Sequence, residues 1–187
     1  DPVKARRLLL AGYRLQEKKL QLFPDRELPL SGQYAARVVM KNIIQALAKP
    51  QNSAMMSIFV PGELLTAAGL TPYSVEALSC FIAGTKCEQI FLRKTEEEGF
   101  PETMCSYHRV FLGAALTGIL PAPKCMIYTN LACDGNMMTF PYLKENTAVR
   151  ASILMFHMKT QSSINMLQSV KRTETFSRKI ITERKLT

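Results

Sequence analysis

Two short apolar runs in this chain have the length of β-strands, and turn-forming residues bound both. AMMSIFV (54–60) lies between KPQNS and Pro61-Gly62, and CMIYT (125–129) follows PAPK. Continuous apolar runs of this length are typical of parallel strands that are buried on both faces. LTPYS (70–74) is predicted as a further strand or a turn.

Apolar residues at helical spacing predict helices around these runs. Residues 1–22 have a basic amphipathic pattern, and 33–49 predict a second helix that is capped by Ser31 and ends before a proline. The same periodicity predicts further helices at 62–69, 75–84, about 105–119 and from 137 onward. Pro141 should interrupt the last of these. The polar segment RKTEEEGFPET (93–103) is predicted as a surface loop.

Short strands that alternate with helices predict an open parallel α/β sheet. The chain then divides into a helical lead-in (1–52), an α/β domain (53–149) and a tail (150–187). Ligands of open α/β folds gather at the carboxyl ends of the strands. Cys133, in the loop NLACDGN after the second apolar run, is expected at such an end.

The net charge of +9 on 187 residues is concentrated in the tail. From Arg150 onward, eight Lys or Arg stand against two acids, which leaves only +3 on the first 149 residues. This distribution argues against a nucleic-acid surface on the domain. No run approaches the length of a membrane helix and the N-terminus has no signal-like apolar region, so we expect a cytoplasmic protein without a membrane partner.

Five cysteines make an odd count, which favours reduced thiols or metal ligands over a disulfide framework. Cys80 and Cys125 lie in apolar runs and are predicted in the core, and Cys87 is predicted as a surface thiol. Cys105 heads a predicted helix, 28 positions before Cys133. Thiolates so placed can share a soft metal site if the fold brings them together, but without a C-x-x-C pair the spacing alone favours two isolated thiols.

Three segments resemble the amino-terminal domain of the 2-hydroxyacyl-CoA dehydratase subunits, such as the D-component of 2-hydroxyglutaryl-CoA dehydratase. They are FVPGELLTAAGLTPYSVEALSCFIAG, MCSYHRVFLGAALTG and NLACDGNMMTFPYLKENTAV, and the likeness covers roughly Ser53 to Val149. The resemblance implies a flavodoxin-like or Rossmann-like domain in which Cys105 and Cys133 each bind one iron of a 4Fe-4S cluster. It also implies that a third cysteine ligand comes from a second domain, for which this chain offers no candidate.

The resemblance further implies a radical lyase reaction. A single electron converts the thioester of a 2-hydroxyacyl-CoA into a ketyl that expels the hydroxyl group, and the cofactor performs this difficult step. The implied partners are a sister dehydratase subunit, an ATP-dependent activator and the acyl-CoA substrate. Glu76 matches an active-site carboxylate of the family, and Ser57 lies beside a position where some members have a serine near the cluster.

Each of these candidates has a simpler alternative. Glu76 is also typical of a solvated acid at a helix start, and Ser57 of a strand hydroxyl. His108 is a candidate general base, or a hydrogen-bond donor to the groups that surround the cluster. The simpler alternative is a histidine that packs in the core or lies on the surface. Arg109 is a candidate for binding a CoA phosphate, or else part of a salt bridge on a helix face.

After Val149 the family pattern predicts another strand with a motif like Asp-Val-Pro-Tyr-Glu, and no such strand is predicted here. Codons that fit residues 154–159 encode this motif when they are read in another frame, so we expect that a one-base shift in the gene near Val149 or Arg150, or a sequencing error there, replaced the native continuation. The chain would then be a truncated dehydratase fragment, inactive alone. The alternatives are an iron-sulfur reductase of the same superfamily, or a non-catalytic remnant with a basic binding tail.

Overall fold

A four-stranded parallel sheet forms the centre of the molecule. The computed structural model describes residues 1–131, 133–147 and 149–154. The strands are β1 (Ser53–Met56), β2 (Thr71–Ser74), β3 (Cys125–Thr129) and β4 (Arg150–Leu154). Their order is β2-β1-β3-β4, and every neighbouring pair is parallel. The predicted open α/β sheet is thereby confirmed, and it is consistent with a flavodoxin-like or Rossmann-like fold.

Seven α-helices surround the sheet within the described ranges. They are α1 (Pro2–Leu22), α2 (Leu30–Ala48), α3 (Gly62–Ala67), α4 (Val75–Ala83), α5 (Glu88–Glu97), α6 (Ser106–Leu116) and α7 (Gly135–Asn146), with a 3₁₀ turn at Pro50–Asn52. The predicted helical lead-in is confirmed as α1 and α2. None of the helices in this part of the chain is long and apolar enough to cross a membrane.

Both faces of the sheet are buried, as the continuous apolar runs predicted. Along β3, Met126 and Tyr128 point into the larger core, which contains residues of α1, α2, α4, α5, α6 and α7. Cys125 and Ile127 point the other way, into a smaller core that contains Leu65 of α3. Because side chains alternate along a strand, one strand of five residues contributes to both layers.

The lead-in helices pack on the domain through a few defined contacts. Arg6 of α1 donates from Nε to the Ile119 carbonyl (2.7 Å) and from a terminal nitrogen to the Gly118 carbonyl (2.9 Å). Tyr13 packs edge-on against Phe81 of α4, with ring centroids 6.0 Å apart. These contacts fix α1 against the end of α6 and against α4.

The segment predicted as a surface loop (93–103) is helical from Arg93 to Glu97, where the prediction was wrong, and a loop from Glu98 to Thr103, where it is confirmed. Phe91 and Thr95 lie one turn apart on α5 and are both buried. The Thr95 hydroxyl lies 2.7 Å from the Arg109 carbonyl and so joins α5 to α6. Lys94 pairs with Glu98 at 2.8 Å on the outer side. The first half of the polar run is therefore part of a helix rather than a loop.

Several predicted boundaries also differ from the structure. The second helix begins at Leu30 rather than after a Ser31 cap, and β1 ends at Met56, four residues earlier than its apolar run. Pro141 lies inside α7 without interrupting it. Proline cannot donate the bond to the carbonyl four residues earlier, and that residue, Met137, has an exposed side chain. The helix tolerates the missing bond there.

A strand does follow Val149, contrary to the sequence prediction. β4 pairs with β3 in register from Cys125 opposite Arg150 to Thr129 opposite Leu154. The first five residues assigned to the basic tail therefore belong to the sheet. The rest of the tail (155–187), and with it most of the segment in which the out-of-frame motif is read, lies outside the described residues.

Candidate functional site

The carboxyl ends of three parallel strands meet at one edge of the sheet. Met56, the last residue of β1, lies in register with Ser74 of β2 and Ile127 of β3. The segments that leave this edge contain Ser57, after β1, and Glu76, after β2. Loops at such an edge supply the ligand contacts of open α/β folds.

Ser57 is fully buried and joins the ends of β1 and β3. Its amide donates to the Ile127 carbonyl at 3.2 Å, and its hydroxyl accepts from the Thr129 amide at 3.1 Å. These contacts correspond to the strand-hydroxyl interpretation. A side chain without exposed surface in this position stabilises the edge on which the site stands.

Glu76 lies in the first turn of α4, which Ser74 caps by accepting from the Ala77 amide at 3.0 Å. Its side chain is only 17% exposed, so it is not the solvated acid of the simpler alternative. Burial raises the pKa of the Glu76 carboxyl, and hydrogen bonds from the backbone amides of Glu76 and Ile58 oppose that rise. Its Oε2 atom is buried and has no hydrogen-bond partner among the described residues.

His108 of α6 lies between Glu76 and α7. Its Nδ1 atom is 2.9 Å from the Thr139 hydroxyl, and its Nε2 atom is 3.9 Å from Glu76 Oε1. The second distance is too long for a hydrogen bond. The ring has no exposed surface, and burial lowers the pKa of His108 to about 4. The imidazole is therefore neutral at physiological pH, and its Nε2 atom has no hydrogen-bond partner within the described ranges.

Gly135, the first residue of α7, brings Cys133 to the His108 ring. A β-carbon at Gly135 would lie 2.6 Å from His108 Cδ2 and 3.2 Å from Cys133 Sγ. Real β-carbons essentially never approach another atom as closely as 2.6 Å, so only glycine fits here. The Cys133 thiol and the imidazole therefore pack against the same stretch of backbone. Cys133 is itself half-buried.

Cys105 occupies the cap position of α6, three residues before His108. Its carbonyl accepts from the Arg109 amide at 3.0 Å, and its thiol is exposed. Residues three apart on a helix lie on neighbouring parts of its surface. Cys105 is therefore one turn from His108, the histidine that packs against Gly135, two residues after Cys133.

Arg109 does not face this edge. It forms an ion pair with Glu96 of α5 and donates to the Glu102 carbonyl at 3.0 Å. The salt-bridge alternative therefore describes Arg109, and its guanidinium ties α6 to α5 and to the loop before α6.

The other three cysteines differ in exposure. Cys80 is exposed, so its predicted core position was wrong, whereas the predicted exposure of Cys87 is confirmed. Cys125 is buried as predicted, and burial raises its pKa to about 11, which keeps it a protonated thiol. No group of three or more His, Cys, Asp or Glu side chains that could hold a metal ion occurs in the described part of the chain.

Sequence reasoning missed Gly135 and Thr139 of α7, which both pack against His108. They lie four positions apart and so share one face of the helix. The glycine directly after Cys133-Asp134 is a signal that was available, because a glycine at a helix start allows another group to approach the backbone closely.

Comparison with protein families matches residues 57–187 to 2-hydroxyglutaryl-CoA dehydratase, D-component. The chain belongs to this family. The dehydratase match includes Ser57, Glu76, Cys105 and Cys133, and it runs past Val149, where the sequence resemblance was expected to end. No curated protein matches the chain.

A pH-dependent prediction for this dehydratase-family domain follows from His108. Its folded pKa of about 4 lies below the usual value of 6.5, so the unfolded chain binds more protons between these values. The contribution of His108 to the free energy of unfolding should be complete above pH 6.5. It should decrease as the pH drops toward 4, by at most about 1.4 kcal/mol per pH unit.

Urea unfolding of the wild type and of His108→Gln across this pH range isolates the contribution of the histidine. Glu76 has a raised pKa and so favours folding as the pH falls, but both proteins contain Glu76, and its effect cancels in the comparison. The stability difference between the two should shrink toward low pH. A difference that stays constant between pH 4 and 6.5 would contradict the neutral, buried histidine.

Proposed function

We propose that this domain holds one side of a 4Fe-4S cluster through Cys105 and Cys133 and presents Glu76 to a 2-hydroxyacyl-CoA. The family match supports the dehydratase context. The observation that carries the proposal is that Cys133 Sγ and the His108 ring both lie beside Gly135, and that His108 Nε2 is 3.9 Å from Glu76 Oε1, with Cys105 one turn before His108.

The chemistry of the side chains fits such a cluster in part. Iron-sulfur clusters are held by cysteine thiolates, and the two thiols here are exposed or half-buried rather than enclosed. Cys105 also lies at a helix N-terminus, where the dipole favours negative charge. Two thiolates are fewer than a cluster requires, so we propose that the remaining ligation comes from outside the described residues.

When bound, the cluster would supply a low-potential electron and a Lewis-acidic iron. The protein would contribute proton transfer and orientation. A 2-hydroxyacyl thioester loses its hydroxyl group as water only if that oxygen gains a proton. Glu76, whose pKa is raised by burial, is suited to transfer this proton through its Oε2 atom, which has no hydrogen-bond partner among the described residues.

His108 would position Glu76 rather than react itself. The neutral ring is fixed by Thr139 on one side and presents its free Nε2 atom to the carboxyl group on the other. Ser57 would support the same edge through its bond to the Thr129 amide. We further propose a sister dehydratase subunit as the source of the second wall of the substrate cleft, and an ATP-dependent activator as the electron donor.

Anaerobic reconstitution with iron and sulfide, followed by optical and EPR spectroscopy, tests the cluster. The wild-type chain should bind iron and sulfide and show the charge-transfer absorption of an iron-sulfur centre. Cys105→Ser and Cys133→Ser should each lose most of this absorption, because each removes one of two thiolate ligands. Cys87→Ser, a matched exposed thiol away from the edge, should retain it.

Equal iron uptake by all three variants would contradict the assignment of these ligands. Absence of uptake in the wild type as well would contradict the proposal that this domain holds cluster ligands without its partner.

A further inference from the structure

Helix α1 presents a stripe of exposed leucines that the fold does not use. Leu8, Leu15 and Leu22 are 67%, 73% and 65% exposed. They follow one another at intervals of seven residues, which places them along one narrow line of the helix surface. Large exposed apolar side chains aligned in this way provide contacts for another helix, although only one of the two seam positions of a heptad is leucine here.

The stripe is separate from the contacts that hold α1 on the domain. Tyr13 is buried against α4, and Arg6 donates to the end of α6. Leu9, Leu10 and Leu20 pack on the core from the other faces of the helix. Substitution of a stripe leucine should therefore leave the fold intact.

Cations flank the stripe. Arg7 and Arg14 directly precede the first two leucines, Lys18 lies between the second and third, and all three are exposed. In coiled-coil notation with the leucines at position a, the two arginines occupy position g, where charges select the partner helix, and Lys18 occupies position d. The one acid of α1, Glu17, is buried and pairs with Arg37 of α2.

An apolar groove lies beside Leu8, the one stripe leucine that lines it. Leu8 and Gly12 form one wall of this groove, which has a volume of about 770 Å³, and Phe81 of α4 and Ile90 of α5 form the other. Ile90 is itself 59% exposed. The stripe and the groove together offer a partner an apolar seam with one positively charged border.

We propose that the stripe Leu8-Leu15-Leu22 docks an acidic amphipathic helix of a partner protein. Its apolar side chains would lie along the stripe and enter the groove, and its carboxylates would pair with Arg7 and Arg14. This interaction surface is independent of the proposed cluster, since none of its residues lies at the carboxyl edge of the sheet.

The positive charge beside the stripe excludes two other binding partners, a second copy of α1 and the C-terminal segment of this chain. A second copy of α1 would bring the same cations face to face. Residues 155–187 of this chain contain seven Lys or Arg against two acids, so they too would repel the cations beside the stripe. An anionic membrane would satisfy the charges, but membrane binding scales with the apolar area that a helix buries. Because α1 exposes only one leucine in every two turns, the apolar area that it could bury in a membrane is small.

Fluorescence anisotropy with two labelled peptides tests the proposal. The probes are an amphipathic helix with leucines at seven-residue spacing and glutamates beside them, and a twin with lysines in place of the glutamates. The acidic peptide should bind the chain at least about tenfold more tightly than its twin, and added salt should weaken its binding.

Leu15→Ser should weaken binding of the acidic peptide by about tenfold. Leu30→Ser is the matched control, because Leu30 is 74% exposed but lies at the start of α2, off the stripe. It should have no effect. Arg14→Glu should shift the preference toward the basic twin.

Circular dichroism of each variant verifies the fold. Absence of binding, equal binding of the two peptides, or equal losses in Leu15→Ser and Leu30→Ser would overturn the proposal. Binding of anionic phosphatidylserine vesicles in preference to the acidic peptide would overturn it in favour of a membrane surface.

Discussion

Gly113→Ala is expected to destabilise the domain by about 3 kcal/mol, the largest loss that we predict for a single methyl group. A β-carbon at Gly113 of α6 would lie 2.0 Å from the Phe91 carbonyl oxygen and 2.8 Å from the Phe91 α-carbon. These are backbone atoms of α5, which cannot move away as a side chain can. The two helices would have to separate, and the contact of Thr95 with the Arg109 carbonyl would open with them.

Urea unfolding followed by circular dichroism measures this loss. Gly12→Ala is the matched control, because Gly12 also lies inside a helix but a β-carbon there meets nothing within 4 Å. Alanine should stabilise α1 by about 0.5 to 1 kcal/mol at that position. A Gly113→Ala protein as stable as the wild type would show that α5 and α6 do not pack as closely as described.

Gly135→Ala is expected to disturb the candidate site more than any other substitution outside the site side chains themselves. The added methyl group would occupy the space of the His108 ring and press on Cys133 Sγ. The ring cannot turn aside freely, since it is fully buried and lies against Thr139. We expect a stability loss of about 1 to 3 kcal/mol and a clear loss of iron uptake on reconstitution.

Gly32→Ala provides the control for this substitution. Gly32 also lies in the first turn of a helix, and a β-carbon there has open space around it. The double variant Gly135→Ala/His108→Ala should lose less free energy of unfolding than the two single variants together, because alanine at position 108 makes room for the methyl group at position 135. Strict additivity would mean that Gly135 and His108 are not in contact.

The sheet could be predicted from the sequence because its signal is local. The runs that became β1 and β3 are apolar apart from Ser57 and Thr129, which is typical of a strand covered on both faces. Helix α5 was missed because its signal lies in two residues, Phe91 and Thr95, within an otherwise polar stretch. Polar residues outnumber buried ones on a surface helix, so composition alone indicated a loop there.

The site was predicted less completely, because it depends on contacts between distant segments. Cys105 and Cys133 could be singled out through a family resemblance, but their relation to His108 follows from the packing of α6 against α7. The burial of His108, the close approach at Gly135 and the bond of Glu76 to the Ile58 amide join residues far apart in the chain. No periodicity in the sequence reports such contacts.

The central claim is that the thiols of Cys105 and Cys133 converge at one edge of the sheet. Dibromobimane, which becomes fluorescent when it bridges two neighbouring thiols, tests this on the reduced, metal-free chain, with peptide mass spectrometry to identify the bridged pair. The account predicts a bridge between Cys105 and Cys133 that Cys105→Ser or Cys133→Ser abolishes and Cys87→Ser leaves in place. Absence of that bridge, with both thiols reactive toward a monofunctional reagent, would contradict it.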